Sequence, residues 1–493
     1  MATKAKLKEV VDEDVVSRQR EILDLVSDID SIANINAITF GKEPRLHTSL
    51  LCLDLILGGG LAPGMYTLLG PEQSAKTTAA IHMIAASVDQ KVDLRVLWDA
   101  EGSTSSSTDY VSNIFETVGV KKASVETVFG IRNDTGWTMP PLVHIKDDYE
   151  GAKFFNWLHA LQKKLPDKRF ANGKWWYVFD NDKDPAKLKE KLARLKYVVD
   201  KKMTSENNGI WVEAEDGRLQ AIILLDSWPS LTPPSMDEEE GDNSIAVQAR
   251  FFSKQLPRIK GALRAKRIAL VGINQLRINP MARFGNPETE PGGQALQFWS
   301  DARLRLFPNA LSSAPFNPKP GPNAKENERK FETEPSVTGR GFDVYRYISV
   351  KTIKNKLSIP TRTTWMRIWV SDGNSDARGY DPVFDAFYYL YQTGQVSGKK
   401  SAMYLQLDGM EPAKKTCSWL EFKTLILGSK EQQKEIFEHI GMKPVNIRKG
   451  CISQIRRGRG EEMYVEQIVG ASEGNVKSID QEAADSKSKD NEV

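Results

Sequence analysis

Cysteine is scarce: only Cys52, Cys417 and Cys451 occur in 493 residues, far apart and without CxxC spacing. That argues against a disulfide framework and against a cysteine-based zinc site, and it fits a reducing compartment. No apolar run approaches the roughly eighteen residues a membrane-spanning helix needs. Met1 to Asp14 is charged where a secretory signal would be apolar. A cytoplasmic protein with no membrane partner is expected. Net charge is also small, +3 from 68 basic and 65 acidic side chains, so any nucleic-acid surface must be local. What is present is ordinary globular material. At 40% hydrophobic and 27% charged, the chain can bury a large core, and its length suits two or three domains.

The stretch around which the rest is arranged runs from Leu68 to Thr78. An apolar run reaches Gly70, Pro71-Glu72-Gln73-Ser74 form a tight loop, and Ala75-Lys76-Thr77-Thr78 opens a helix that continues to Val88. Strand, loop and helix N-terminus in that order make a phosphate-binding loop, because backbone N–H groups and the helix dipole both favour an anion there. Lys76 is placed to reach the β- and γ-phosphates of ATP, and the Thr77 hydroxyl to hold Mg²⁺. Ala75 stands where such loops usually have glycine.

Two more buried strands end in carboxylates. Arg95 to Asp99 leads into Ala100-Glu101, at the rim where parallel sheets bind ligands. Glu101 reads either as a general base for the water attacking γ-phosphate or as a solvated acid closing a loop. Ala221 to Leu225 ends in Asp226, a carboxylate for the Mg²⁺ shell opposite Thr77. A third strand, Ile268 to Ile273, ends in Asn274-Gln275, where a glutamine could hydrogen-bond γ-phosphate and report its loss. Ala246 to Lys266 reads as a helix with a basic face of Arg250, Lys254 and Arg258. From Leu276 to Gly293 the chain is rich in Gly and Pro and carries Arg277, Met281, Arg283 and Phe284. Arginines for phosphates and apolar side chains for bases suit single-stranded DNA.

Taken together these motifs resemble the RecA family of homologous-recombination ATPases. The set runs from about His47 to Leu306: Gly70-Pro71-Glu72 with Lys76-Thr77-Thr78, Asp99-Ala100-Glu101, Asp226-Ser227, Asn274-Gln275-Leu276-Arg277, Phe284-Gly285-Asn286-Pro287-Glu288-Thr289 and Gly292-Gly293. The resemblance implies an α/β fold, a RecA-like P-loop ATPase core whose mostly parallel central sheet is flanked by helices. It implies ATP and Mg²⁺ as cofactors, and single-stranded and homologous duplex DNA as partners. It also implies self-association into a helical filament, with single-strand-binding and loader proteins as further partners. In the family's pattern Tyr110 is the adenine-contacting candidate and Ile245 the first wedge between base triplets; Pro280 falls at the second, so that either Met281 substitutes or the wedge differs. Arg250, Arg277 and Arg283 lie nearest DNA phosphate, and Phe298 is a subunit-interface residue. Lys354 and Lys356 reach the neighbour's ATP in trans.

The domain organisation follows. Residues 1–46 are the arm, with Ile22, Leu25, Val26, Ile29 and Ile32 at helical spacing; alone that helix fits its own domain or a neighbour, and the resemblance favours the neighbour. Residues 47–370 are the ATPase core, with a Trp-rich insertion at 166–217 and a mobile connector at 309–340. Residues 371–469 form a small α+β C-terminal domain with a basic cluster (Arg448 to Arg459) that is either a duplex-DNA gateway or a solvated face, and 470–493 a disordered polar tail. Asp216-Gly217 reads as a hairpin turn. Ala75, the spacing of Tyr110, Pro280 at the second wedge position and the insertion depart from the family, and the divergence looks more like a large-bacteriophage member, acting in its host's cytoplasm. The rival readings are a hexameric helicase or motor on the same core, and a DNA-coating scaffold with weak ATPase.

Overall fold

The computed structural model describes residues 44–120, 123–179, 210–234, 243–278, 288–316, 330–335, 342–370, 379–399, 402–405 and 422. In chain order, α1 (Leu51–Leu57) stops at left-handed Gly58 and leads to β1 (Gly64–Gly70), buried along its whole length. Next come α2 (Lys76–Asp89), β2 (Leu94–Asp99), α3 (Thr108–Val118) and α4 (Val125–Phe129). A small hairpin of β3 (Ile131–Asn133) and β4 (Gly136–Met139) precedes β5 (His144–Asp147) and α5 (Gly151–Lys164). The insertion supplies β6 (Asp167–Ala171), β7 (Lys174–Phe179) and β8 (Ile210–Ala214). The core resumes with β9 (Ala221–Asp226), α6 (Asn243–Ala265), β10 (Ile268–Gln275), β11 (Arg277–Ile278), β12 (Glu288–Thr289), α7 (Gly293–Trp299) and β13 (Ala302–Pro308). It ends with β14 (Phe331–Pro335), β15 (Phe342–Asn355), β16 (Thr363–Val370), α8 (Pro382–Gln392) and the hairpin of β17 (Val396–Lys399) and β18 (Ala402–Leu405).

The central sheet runs β14-β15-β13-β1-β10-β9-β2-β5, with β16 also paired to β15. Strands β13, β1, β10, β9, β2 and β5 are parallel, and β15 turns antiparallel against β13. Continuous apolar runs suit parallel strands covered on both faces. Leu97, Ile222, Leu224, Val271 and Ile273 join the core that holds Ile81 and Ile84 of α2 and Ile114 and Phe115 of α3. Trp98, one residue on from Leu97, packs instead on Phe154 and Trp157 of α5. Trp228 lies against Phe155 and Phe252, and its indole approaches to 2.0 Å from where a Cβ on Gly272 would stand. Only glycine fits under that ring. The expected mostly parallel α/β sheet flanked by helices is therefore the observed one.

The described residues 162–179 and 210–218 belong to a compact unit distinct from the one holding the main sheet. Strands β6, β7 and β8 form an antiparallel sheet with aromatic cores on both faces: Tyr177, Ile210 and Val212 on one, Trp176, Val178 and Trp211 on the other. Asn172 (φ 51°) and Gly173 (φ 78°) make the two-residue turn with the positive φ angles a tight hairpin requires. The Asp216-Gly217 pair does not make a hairpin. Strand β8 pairs with β7, whereas β9 pairs with β10 and β2. Asp216 Oδ1 accepts from the Arg218 N–H at 2.9 Å, so the turn chemistry is real, but it joins strands of different sheets.

Within the stretch read as a connector, β14 pairs with the upper half of β15, and Leu311 and Ala314 are buried with Tyr347 and Phe384. Glu332 of β14 accepts from the Tyr347 hydroxyl at 2.6 Å and from Arg367 Nη1 at 3.0 Å, a buried set of partners that fixes the strand. Helix α8 starts where Asp381 accepts from Val383 and Phe384 N–H groups (3.0 and 3.3 Å), with Pro382 in its first turn. Its Asp385 carboxylate accepts from the N–H groups of Leu51 and Cys52, so the first helix of the expected C-terminal domain is packed on α1. The N-terminal arm helix, the basic cluster at 448–459 and the polar tail lie outside the described residues.

Candidate nucleotide site and DNA-loop stem

Strand β1 delivers Gly70 to the start of the phosphate loop, where a Cβ would sit 2.3 Å from the Leu306 carbonyl and 2.5 Å from Ser74 Oγ. Ala75 adopts φ 59°, ψ 30°, the left-handed conformation that glycine ordinarily supplies. The alanine therefore keeps the glycine's backbone, at a cost of about 1 kcal/mol. Lys76 Nζ donates to the carbonyls of Gly70 (3.1 Å) and Pro71 (2.6 Å) and to Ser74 Oγ (3.1 Å). Burial holds its pKa below the ordinary lysine value, against the pull of Asp226, Glu101 and Glu72. Thr77 Oγ1 donates to Asp226 Oδ2 at 2.7 Å, while Thr78 Oγ1 and the Tyr110 hydroxyl lie 2.6 Å apart. A buried ammonium resting on neutral carbonyls, beside a hydroxyl–carboxylate pair, fits a Mg²⁺-bound nucleoside triphosphate. Glu72 and Gln73 are exposed at the loop tip.

The parallel register brings the remaining groups to the same edge. Asp99 stands opposite Asp226, and Gly70 opposite Gln275. Beyond β2 the chain bends so that the N–H groups of Ala100 and Glu101 donate to the Asp226 carbonyl at 2.6 and 3.1 Å. Glu101 Oε1 then accepts from Ser227 Oγ (2.5 Å), Ser230 Oγ (3.1 Å) and Gln275 Nε2 (3.5 Å). Ser230 escaped the sequence reading; its only signal is its place three residues after Ser227. Asp99 is structural in this arrangement, with Oδ2 accepting from the Thr104 and Ser105 N–H groups at 2.9 and 2.7 Å.

Burial pushes Asp226 up to about 7, with Glu101 and Asp99 adding to the rise and Thr77 and Lys76 opposing it. The folded chain thus holds a proton that the unfolded chain has released above about pH 4. Between about pH 4 and 7 the ligand-free fold loses stability as pH rises, by up to about 1.4 kcal/mol per unit. Asp385, also raised to about 7 by burial, adds a second such share. Melting curves of wild type and Asp226→Asn from pH 5 to 8 should show the variant keeping only the Asp385 share of the slope. The stabilisation by Mg²⁺ with ATP should grow as pH approaches 7 in wild type and be lost in the variant.

Directly after Gln275, the Leu276 N–H donates to the Gly70 carbonyl at 3.1 Å, so the segment expected to bind DNA leaves from the phosphate loop itself. Strands β11 and β12 form its antiparallel stem, Arg277 opposite Thr289. Asn274 Nδ2 ties the far end by donating to the Pro291 carbonyl at 3.2 Å, before Gly292 (φ 85°) and Gly293 (φ 69°) open α7. Met281, Arg283, Phe284, Gly285 and Asn286 lie outside the described residues, as does the side chain of Ile245 in the first turn of α6. Arg250, Lys254 and Arg258 are all exposed on α6.

Phe298, Lys354 and Lys356 form a separate group. Phe298 is 64% exposed, and both ammonium groups lie over its ring, at 5.9 and 5.7 Å. Lys354 Nζ donates to the carbonyls of Gln297 and Phe298, each at 2.7 Å. Burial first, then repulsion from Lys356, Arg303 and Lys260, brings Lys354 down to about 8. Lys354 pairs with Arg303, which pairs with Thr67, and the Lys356 N–H donates to the carbonyl of Asp301, which in turn binds Met65. Lys354 is therefore level with the middle of β1 and Lys356 lies beside its start, both away from the end that leads into the phosphate loop.

The fold and this edge define an α/β protein in which the Gly70–Thr78 loop and two strand-end carboxylates make a candidate nucleotide site. Residues 214–310 match a family model described as the RecA N-terminal domain. That stretch includes Asp226, Gln275 and Phe298, while the phosphate loop and Glu101 precede it. Protein RecA of Borrelia hermsii is 36% identical over 157 residues, 31% of this chain and 37% of that protein. Protein RecA of Aquifex aeolicus is 31% identical over 193 residues, 38% of this chain and 50% of that protein. A solved structure of the RadB recombinase aligns with 68% of this chain and 98% of its own, at 16% identity and a TM-score of 0.37. The chain thus spans about a third to a half of the curated relatives it matches. Over the matched residues the chain is similar to the RecA family, as the motifs led one to expect. No helix among the described residues is long and apolar enough to cross a membrane.

Proposed function

We propose that this chain is an ATP-dependent DNA recombinase that assembles into a filament on single-stranded DNA and exchanges strands with a homologous duplex. The observation that carries the reading is the path Glu101–Gln275–β11. One glutamine side chain reaches the Glu101 carboxylate at 3.5 Å, and the next residues begin the β11–β12 stem, which supports a coupling between a water-activating base and a DNA-binding segment. Mg²⁺-bound ATP supplies the phosphoanhydride whose cleavage releases the filament. Lys76 and the loop N–H groups bind its phosphates, Thr77 and Asp226 hold the metal, and Tyr110 is the candidate for the base. Glu101 takes the proton of the attacking water on its carboxylate. Gln275 exchanges its hydrogen bond with Glu101 for one to γ-phosphate, and so biases the order of the loop that follows it.

Phe298, Lys354 and Lys356 form the surface that a second copy meets, since their distance from their own phosphate loop leaves them free to serve a neighbour's. Arg250, Arg277, Arg283 and the Phe284–Gly293 stretch contact DNA. A strand-exchange assay with homologous single-stranded and duplex DNA tests the reading. Exchange is expected with ATP, pairing is expected to begin with a non-hydrolysable analogue, and no product should form without nucleotide. Closed rings that translocate on DNA without exchange would point to the motor reading instead.

A further inference from the structure

Arg346, on the upper half of β15, has no acidic partner among the described residues, although it is only partly exposed. Its Nε is buried without a hydrogen-bond partner, and the guanidinium lies 5.7 Å over the Phe331 ring. Among the described residues its side-chain hydrogen bond runs from Nη1 to the carbonyl of Gln73, at 3.4 Å, on the tip of the phosphate loop 273 positions away in sequence. A half-buried cation ordinarily finds a carboxylate, because taking it out of water unpaired is costly. Burial alone, with no carboxylate to offset it, holds the Arg346 pKa below its usual value. The neighbourhood supplies what a phosphate site needs: an exposed loop tip at Glu72 and Gln73 and backbone in left-handed conformations at Gln73 and Ala75.

Register fixes why this strand reaches the loop. Leu69 pairs with Arg305 and Ile348 with Pro308, so β15 rises past the end of β1 as the chain is followed back to Arg346. The same strand carries Lys354 at its other end, eight residues on and about 26 Å away at β-strand rise. One strand thus holds Arg346 beside its own phosphate loop and Lys354, with Lys356 just past its end, beside the surface offered to a second copy.

Resting on the nucleotide-site reading above, we propose that Arg346 is an intramolecular phosphate-binding residue, whose guanidinium takes the phosphates of the bound nucleoside triphosphate as its missing counter-ion. The nucleotide is then held by cations from both sides within one chain, Lys76 from the helix and Arg346 from the sheet.

Titration of the full chain with a fluorescent ATP analogue and Mg²⁺, without DNA, tests this. Arg346→Ala should weaken binding about tenfold, as loss of one charge-assisted hydrogen bond does, and Arg346→Lys should recover part of it. Melting without nucleotide separates a structural role: Arg346→Ala should melt no lower than wild type, while its gain in melting temperature on adding ATP shrinks. Wild-type ATP affinity in Arg346→Ala, alongside weakened binding in Lys76→Ala, would overturn the proposal and leave the nucleotide site intact. Undiminished binding in Lys76→Ala and Arg346→Ala alike would overturn the nucleotide-site reading itself, and this inference with it.

Discussion

Glu101→Gln is expected to slow DNA-stimulated ATP hydrolysis by about 10²–10⁴-fold, the range lost with a general base, while ATP binding and assembly on DNA persist. The backbone of Glu101 is fixed by its own N–H donating to the Asp226 carbonyl, so the variant side chain starts from the same place. Ser227, Ser230 and Gln275 converge on Oε1, and a glutamine oxygen can accept the same three donors. The amide keeps size and hydrogen bonding and loses only the capacity to take a proton. Steady-state ATPase rates with and without single-stranded DNA, read beside co-sedimentation of protein with DNA, check both halves. Assembly lost together with hydrolysis would make Glu101 a structural tie between β2 and β9. Unchanged hydrolysis would move the base elsewhere.

The parts of this site that could be read from sequence are those in which one short stretch carries both the element and the chemistry. Ala221 to Asp226 is such a stretch: a run of apolar residues that must be buried, then a carboxylate that must sit at its end. The same holds for Gly70 to Thr78 and for the strand ending at Gln275. What could not be read is whatever depends on pairing between distant segments. The Asp216-Gly217 turn has turn chemistry, but only the sheet decides that β8 and β9 part company there. Strand β14 offers Phe331 as its one large apolar residue, too little for a periodicity, and its strand state comes from β15 and from Arg367 and Tyr347 gripping Glu332. Ser230 and Arg346 carry no motif at all. Each is informative only after the fold has set it against Glu101 or Gln73.

Ala75 falls between these cases. The sequence marks the departure from glycine, and the change adds one methyl group at a position where glycine lets the backbone pass close to phosphate. The structure places the burden on the backbone instead, since the residue sits at φ 59° and its carbonyl accepts from the Tyr380 hydroxyl at 3.2 Å. Tyr380 is itself held through its N–H donating to His82 Nε2 at 3.0 Å, and His82 is kept neutral by burial, its pKa pushed down to about 3. A strained residue persists where surrounding contacts determine it, and those contacts come from the segment leading into α8.

Mixing two inactive variants should restore activity. Lys76→Ala keeps Lys354 and Lys356 but loses the phosphate-loop cation; the double variant Lys354→Ala, Lys356→Ala keeps the loop but loses the lysines offered to a neighbour. Each alone is expected to lose most DNA-stimulated hydrolysis, up to about 10³–10⁵-fold if the lysines act as trans-acting fingers do. In an equimolar, randomly mixed filament of the proposed head-to-tail kind, each subunit contributes a different side to each contact, so about one interface in four joins an intact loop to intact lysines. About a quarter of wild-type ATPase is therefore expected from the mixture. The geometry behind this is the register of β15. Lys354 is level with Thr67, about 10 Å down β1 from the end that leads into the loop, and its ammonium is turned onto the carbonyls of Gln297 and Phe298. Lysines serving their own loop would leave every interface in the mixture defective, and the mixture would stay as inactive as its parts.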